Sequence, residues 1–131
     1  TLEKLRRDPV IETIITRGHQ LIDGLQQIIT EQQLGDRFQV KGHPSWSFLI
    51  ITEADGTSSF EIKTLLMQEF HQAGILSFGA HNINYAHTED DIAYLLSVYR
   101  ELLPMIGSHI ANGTVSDALR CDPLVPLFKV R

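Results

Sequence analysis

The chain has 131 residues, a formal net charge of −5 at pH 7, and a composition that is 43% hydrophobic and 21% charged. This length suits one domain with its own core, and the acidic balance argues against nucleic acid as a partner, which needs a basic face. No apolar stretch reaches the ~20 residues of a membrane-spanning helix, so we expect no membrane partner. The single cysteine, Cys121, cannot form an internal disulfide, which favours a reducing, cytoplasmic location.

The first predicted element is a long helix that starts at Pro9 and ends near Leu34. Proline suits the first turn of a helix, Asp8 is placed to cap it, and Gly35 can provide a left-handed stop. Between these limits apolar residues recur at helical spacing, which predicts one buried face. They are Val10, Ile11, Ile14, Ile15, Leu21, Ile22, Leu25, Ile28 and Ile29.

Two strand-like segments follow this helix. Residues 37–41 predict a strand, and residues 42–44, Gly-His-Pro, predict the turn after it. Residues 46–52 are rich in β-branched and aromatic residues, and their centre is apolar on both faces. We therefore predict a central strand that is covered on both sides, with Trp46 as a core residue rather than an interface residue.

A second helix and two short strands are predicted next. Ser58 or Ser59 is placed to cap the helix, which should end at Gly74. The short apolar segments 75–76 and 83–85 are candidate strands.

The clearest local signal begins the last long helix. Thr88 is a cap, and Asp91 three residues later can complete a capping box. Pro104 lies within the apolar stripe that follows and should kink or restart the helix, since its ring clashes with the carbonyl of Arg100. The stripe comprises Ile92, Leu95, Leu96, Tyr99, Leu103, Ile106 and Ile110.

The order of these elements predicts an α+β domain, in which a small, mostly antiparallel sheet carries helices on one face. Residues 1–131 are treated as one domain, and we expect residues 113–131 to form a short helical turn and an extended tail.

The reactive side chains do not form a complete active site. The six histidines lack metal-ligand spacing, so we predict no metal site, although His81 and His87 could share a face of a short strand as joint ligands. Ser45 and Ser77 lack the Gly-x-Ser-x-Gly elbow of a nucleophile. A Schiff-base lysine needs a desolvated pocket, and no lysine lies in a segment that predicts one. The lysines are Lys4, Lys41, Lys63 and Lys129.

Several short motifs, in this order and spacing, resemble the C-terminal segment of class III aminotransferases over residues 1–112. Residues 18–25 resemble the Gly-x-x-Leu-x-x-Gly-Leu pattern of that family, and residues 38–42 and 73–76 follow in the expected order. The most specific segment is 86–92, which resembles the Ala-His-Thr-x-x-Asp-Ile of the glutamate-1-semialdehyde aminomutases and their close relatives.

The resemblance implies a parent enzyme of fold type I that transfers amino groups with pyridoxal phosphate (PLP) and acts as a homodimer. It implies that this chain is the small domain, which helps to close the substrate cleft and assemble the dimer. The Schiff-base lysine would lie on a large catalytic domain outside this chain, so we expect no catalytic residue and no bound cofactor here. The substrate would be a small molecule of the amino-acid or amino-sugar type.

The resemblance also implies four substrate-facing residues, namely Phe78, Gly79, His81 and Asn82. In the aminomutases the matching segment reads Phe-Glu-Ala-Gly-Phe, and its glutamate faces the substrate region. Gly79 stands in the place of that glutamate, which favours a relative with another amino donor or acceptor. The alternative is a free-standing, non-catalytic binding domain derived from the same fold. A start at Thr1 rather than Met favours a fragment.

Overall fold

The computed structural model describes residues 2–54 and 56–125, and within them the chain forms five helices and three strands. The strands make one antiparallel sheet in the order β1-β2-β3. The long helices pack on one face of it, as the α+β prediction requires. In chain order the elements are α1 (Leu2–Arg7), α2 (Val10–Glu31), β1 (Phe38–His43), β2 (Trp46–Ile51), α3 (Ser59–Gln72), β3 (Ala80–Asn82), α4 (Glu89–Asn112) and α5 (Val115–Ala118).

Strands β1 and β2 form a tight hairpin. His43 pairs with Trp46, so the connection consists of residues 44–45 alone. The predicted turn at 42–44 was therefore placed two residues too early. Residues 42–43 belong to the strand instead.

Strand β3 lies at the edge of the sheet, where His81 pairs with Ser47 of β2. The strands predicted at 75–76 and 83–85 are wrong, because the observed strand lies between them. Ile75 and Ile83 are apolar for another reason. Ile75 packs against the core, Ile83 is itself buried, and both backbone N–H groups bond outside any ladder with β2.

The inner face of the sheet packs on α2, α3 and α4 to form the core. The predicted apolar stripes of α2 and α4 supply much of it, although Ile11 of the first stripe is exposed. Phe70 of α3 and Tyr99 of α4 meet edge to face, with their ring centroids 5.0 Å apart. The largest fully buried side chains are Leu21, Leu25, Ile28, Ile29, Phe38, Ile62, Leu65, Leu66, Phe70, Tyr99, Leu103 and Ile106.

Helices α3 and α4 begin as predicted. Ser58 accepts a hydrogen bond from the Glu61 N–H, and the Glu61 carboxylate accepts one from the Ser58 N–H. Thr88 and Asp91 make the same reciprocal pair at the start of α4. Each capping box satisfies two N–H groups that a helix N-terminus leaves without an intrahelical partner.

Asp8 does not cap α2. The N-cap position is Pro9, and its side chain can make no cap bond. The Asp8 carboxylate instead accepts hydrogen bonds from Lys4 at 2.6 Å and from Arg7 at 2.8 Å. Both donors belong to α1, a six-residue helix that the sequence pattern did not predict.

Helix α2 ends earlier than predicted. The left-handed residue is Gln33, with a φ of 56°, and Gly35 plays no part in the stop. The Leu34 N–H then bonds to the carbonyl of Ile29 at 2.9 Å, which is the bond that closes a Schellman motif.

Pro104 does not break or restart α4, which is continuous from Glu89 to Asn112. A proline has no N–H, so the carbonyl of Arg100 loses its intrahelical donor. Gln32, just beyond α2, donates its Nε2 to that carbonyl at 2.8 Å. The Arg100 side chain also bonds to Glu31 at 2.6 Å, so one turn of α4 contacts the end of α2 twice.

Gly18 allows α2 to lie directly against the hairpin. A Cβ built on this residue would overlap the backbone carbonyl of Pro44, so any side chain would force the helix and the loop apart. This close approach explains why α2 tolerates a glycine that weakens the helix by ~1 kcal/mol.

Beyond α5 the chain returns along α3. The Arg120 N–H donates to Gln68 at 2.7 Å, and the Leu124 N–H donates to Thr64 at 2.9 Å. The first part of the predicted tail therefore packs on this domain. Residues 126–131 lie outside the described residues.

Candidate functional site

The connection from α3 through β3 to α4 lines an open groove of about 490 Å³. Two of the four residues predicted to face substrate, His81 and Asn82, lie along it, and Phe78 and Gly79 do not. Ser77 and His87 add polar groups to its walls. Apolar walls with a few polar groups are features of sites that bind small molecules.

The four predicted residues do not share one surface. Phe78 is 65% exposed on the loop before β3, and Asn82 pairs with Trp46 on the outer face of the sheet. His81, between them in sequence, is only 5% exposed and points to the inner face. Successive side chains of a strand alternate between its faces, which separates His81 from Asn82. Contact of these residues with substrate stays a prediction.

Gly79 has a backbone conformation that favours glycine. Its φ is +81°, in the left-handed region, and its carbonyl accepts a hydrogen bond from the Leu49 N–H at 3.1 Å. A Cβ at this position would lie 3.3 Å from Cε of Lys63. A glutamate, which the aminomutase pattern has here, would be strained in this loop. The departure from that pattern therefore involves the backbone as well as the side chain.

His81 belongs to a buried polar cluster that the sequence did not predict. Its Nδ1 lies 3.0 Å from the Ser47 hydroxyl of β2, and its Nε2 lies 2.7 Å from the Tyr99 hydroxyl of α4. Burial lowers the pKa of His81 to about 4 and raises that of Tyr99 above its ordinary value. The imidazole is therefore neutral at pH 7.

This cluster superficially resembles a Ser–His nucleophile pair. Ser47 is fully buried, so no substrate can reach its hydroxyl. The third member, Tyr99, is a phenol and not the carboxylate that stabilises an imidazolium in such triads. The geometry therefore favours a structural connection between two strands and a helix.

The joint-ligand alternative for His81 and His87 finds no support. Both ring nitrogens of His81 are bonded, and His87 accepts a hydrogen bond from the Asn84 N–H at 3.2 Å. In the described part of the chain, no group of three or more His, Cys, Asp or Glu side chains could hold a metal ion.

The wall of the groove before α4 is held by a compact turn. The Asn84 side chain accepts a hydrogen bond from the Ala86 N–H at 2.9 Å. Arg17 of α2 donates to the carbonyl of Tyr85 at 3.1 Å. These bonds fix the segment that leads into the Thr88 capping box.

The described residues do not fit PLP by themselves. Lys4 and Lys41 are exposed, and Lys63 is half-buried beside Gly79 rather than enclosed in a pocket. A lysine that forms a Schiff base needs a desolvated site. Lys129 lies outside the described residues, and the expectation that the chain alone binds no PLP stays a prediction.

The outer face of the sheet is apolar and uncovered. Trp46 is 55% exposed, Ile50 is 42% exposed, and Phe48 between them is half-buried. The predictions that β2 is covered on both sides and that Trp46 belongs to the core are therefore wrong. The described helices pack only on the inner face, where Leu49 lies. Phe60 of α3 borders Ile50 at one edge of this surface.

The sequence matches no family model and no curated protein. Its fold is shared by several solved structures, among them the following two. The PLP internal aldimine form of the FumI protein of Sphingopyxis sp. MTA144 has a TM-score of 0.69 and 21% identity over 84% of this chain. A transaminase with PLP bound has a TM-score of 0.66 and 20% identity over 76% of this chain. This chain spans only 26% and 24% of their lengths, so its fold matches one part of them, the small domain of PLP-dependent transaminases.

Among the described residues, no helix combines the length and the apolarity needed to cross a bilayer.

Proposed function

We propose that this chain is the C-terminal small domain of a PLP-dependent aminotransferase of class III, related to the glutamate-1-semialdehyde aminomutases. One observation carries the proposal: the fold match extends over 84% of this chain and only 26% of the FumI structure, which contains PLP. The motifs at residues 18–25 and 86–92 support the class III assignment. The proposal includes a cytoplasmic homodimer and a division into residues 1–112 and a tail of residues 113–131.

The division of labour follows from what the described residues lack. The large domain would hold PLP and its lysine, and PLP supplies the electron sink for amino-group transfer when bound there. This chain would close the substrate cleft and exclude water from it.

The apolar outer face supports the presence of a partner. Trp46, Phe48 and Ile50 form a contiguous row along the central strand, and the Trp46 and Phe48 rings are 5.1 Å apart. Such a surface on an isolated domain usually marks an interface. In our proposal the large domain and the second subunit cover this face.

The substrate would be a small amino-acid or amino-sugar-like molecule, approached by Phe78, Gly79 and Asn82. The left-handed backbone at Gly79 disfavours the glutamate of the aminomutases at this point. This difference favours an amino donor or acceptor other than the semialdehyde.

The test uses the natural reading frame that contains this segment, expressed in full with PLP. Borohydride reduction, proteolysis and mass spectrometry should place the pyridoxyl group on a lysine outside residues 1–131. A Lys63→Arg variant is the matched control and should retain the label. A label on Lys63 or Lys41, or a reading frame that starts just before Thr1, would overturn the proposal.

The second candidate is a free-standing binding domain that kept this fold without catalysis. The observation that favours it is the poor fit of the described residues to PLP, together with Gly79 in the place of the glutamate. The same experiment separates the two, since this candidate predicts no labelled lysine.

A further inference from the structure

Strand β3 has a single side chain directed into the domain. It is three residues long and lies at the edge of the sheet, where Ala80 and Asn82 alternate with His81. Of these three side chains only His81 is buried. Any side-chain control over the position of β3 from the interior must therefore act through this imidazole.

The imidazole contacts two different elements at its two ends. Nδ1 meets Ser47 of the central strand at 3.0 Å, and Nε2 meets Tyr99 of α4 at 2.7 Å. The rings of His81 and Tyr99 also meet edge to face, 5.8 Å between centroids. An apolar residue could fill the same space, but two directional hydrogen bonds at opposite ends of a ring also fix its orientation.

We propose that His81 is a positioning residue, which through Ser47 and Tyr99 holds residues 78–82 in place beside the groove. Tyr99, deep in the core, then determines how Phe78 and Asn82 are presented on the surface. The contact of those two residues with substrate rests on the proposed function, whereas the positioning does not.

Without the side-chain bonds of His81, backbone hydrogen bonds would hold residues 78–82 less firmly. The Leu49 N–H bonds to the Gly79 carbonyl at 3.1 Å, and the Ile83 N–H bonds to the Ser45 carbonyl at 3.1 Å. Edge strands and exposed loops open locally at low free-energy cost. The amide of Leu49 therefore reports whether residues 78–82 stay docked.

The principal test is Tyr99→Phe in the complete chain, read by amide hydrogen exchange with NMR. This change removes one hydroxyl and keeps the buried ring. Exchange at Leu49 and Ile83, whose N–H bonds flank residues 78–82, should become about tenfold faster, the effect expected for one lost buried hydrogen bond. Exchange at Thr52, whose N–H bonds to Arg37 at the other edge of the sheet, should stay unchanged.

The matched control is Tyr94→Phe on the same helix. The Tyr94 hydroxyl donates to the carbonyl of Ala73 at 2.8 Å and does not touch the cluster. This variant should leave exchange at Leu49 unchanged. Equal acceleration at Leu49 and Thr52 in Tyr99→Phe, or none at Leu49, would overturn the positioning role.

A second variant approaches the imidazole from its other end. Ser47→Ala should accelerate exchange at the same amides as Tyr99→Phe. If it affects a different set of amides, the cluster does not act as one unit and the proposal fails.

The substrate part of the inference is tested in the complete enzyme. Tyr99→Phe should raise KM for the amino substrate several-fold with a smaller change in kcat, since it loosens a surface that contacts substrate. An unchanged KM would overturn that part. An enzyme without transferase activity would refute the proposed function and leave the exchange result standing.

Discussion

The two faces of the sheet differ in what covers them. On the inner face, Leu49 and Ser47 of β2 lie under α3 and α4, in a core that includes Phe38 and Phe70. On the outer face, the alternate residues of the same strand are also apolar, but no described helix covers them. Strand β2 is therefore apolar on both faces, but the described helices cover only one of them.

This difference separates two kinds of information in the sequence. The inner face encodes the fold of the chain, and its residues are buried by helices that the sequence itself predicts. In our proposal, the outer face encodes a contact with the large domain and the second subunit. The following predictions test whether the two faces behave as differently as their burial suggests.

The largest effect is expected on the inner face. Phe70→Ala should lower the free energy of unfolding by about 3–5 kcal/mol, because it opens a cavity beside Tyr99. Urea denaturation measures the change. The control is Phe60→Ala on the same helix, which is 38% exposed and should cost less than about 1 kcal/mol. An equal loss of stability in the two variants would show that the inner face is no more important for folding than the outer face.

The second effect depends on pH and on His81. Burial lowers the pKa of His81 from 6.5 to about 4, so the unfolded chain takes up a proton before the folded chain does. The neutral ring therefore contributes about 3 kcal/mol to the free energy of unfolding above pH 6.5. This contribution is lost as the pH falls towards 4.

Urea denaturation at pH 7, 6, 5 and 4.5 measures this loss. In a His81→Gln variant the slope between pH 6.5 and 4.5 should become shallower, although its stability at pH 7 is lower. An identical slope would show that the pH dependence of the free energy of unfolding comes from other groups. The carboxyl groups of Asp8, Glu31, Glu61 and Asp91 also have lowered pKa values, and their contribution is lost at lower pH.

A third effect concerns the loop that leads into β3. Gly79→Ala places a side chain at a φ of +81° and should cost about 1–2 kcal/mol. Gly35→Ala is the matched control, since its backbone is not left-handed and a Cβ there has open space. Thermal unfolding followed by circular dichroism compares the two. If Gly79→Ala leaves the thermal stability unchanged, residue 79 does not require a left-handed backbone.

The smallest effect is expected on the outer face of the isolated chain. Trp46→Thr should change stability by less than about 1 kcal/mol, because it removes one exposed cross-strand contact. If the proposed function holds, the same substitution in the complete protein should weaken dimer or domain assembly, measured by sedimentation. A large loss in the isolated chain would mean that Trp46 acts as a core residue after all.

The local parts of the fold could be predicted from the sequence. The capping box at Thr88 depends on residues three apart, the cap at Ser58 or Ser59 depends on residue type, and the buried stripes depend on helical spacing, so short windows contain the whole signal. Gln33 escaped prediction because a non-glycine residue seldom adopts a left-handed conformation. The position of β3 was missed because its apolar neighbours, Ile75 and Ile83, gave a stronger signal than the strand itself.

The candidate site depended on contacts that no short window contains. His81 meets Ser47 across 34 positions and Tyr99 across 18. One signal was present: Ser47 is in phase with Leu49 and Ile51, so a polar residue stood on the inner face of a strand and needed a partner. Trp46 was misplaced for a related reason, since alternation shows which residues share a face but not what covers it.

Pro104 has a consequence for how the two longest helices align. It leaves the Arg100 carbonyl without a donor in its own helix, and Gln32 supplies that donor from beyond the end of α2. A shift of α4 along its axis by one residue would break this bond and leave the exposed Arg100 carbonyl with water alone as its donor. The proline thus favours one axial alignment of α2 and α4, in addition to the alignment that apolar packing favours.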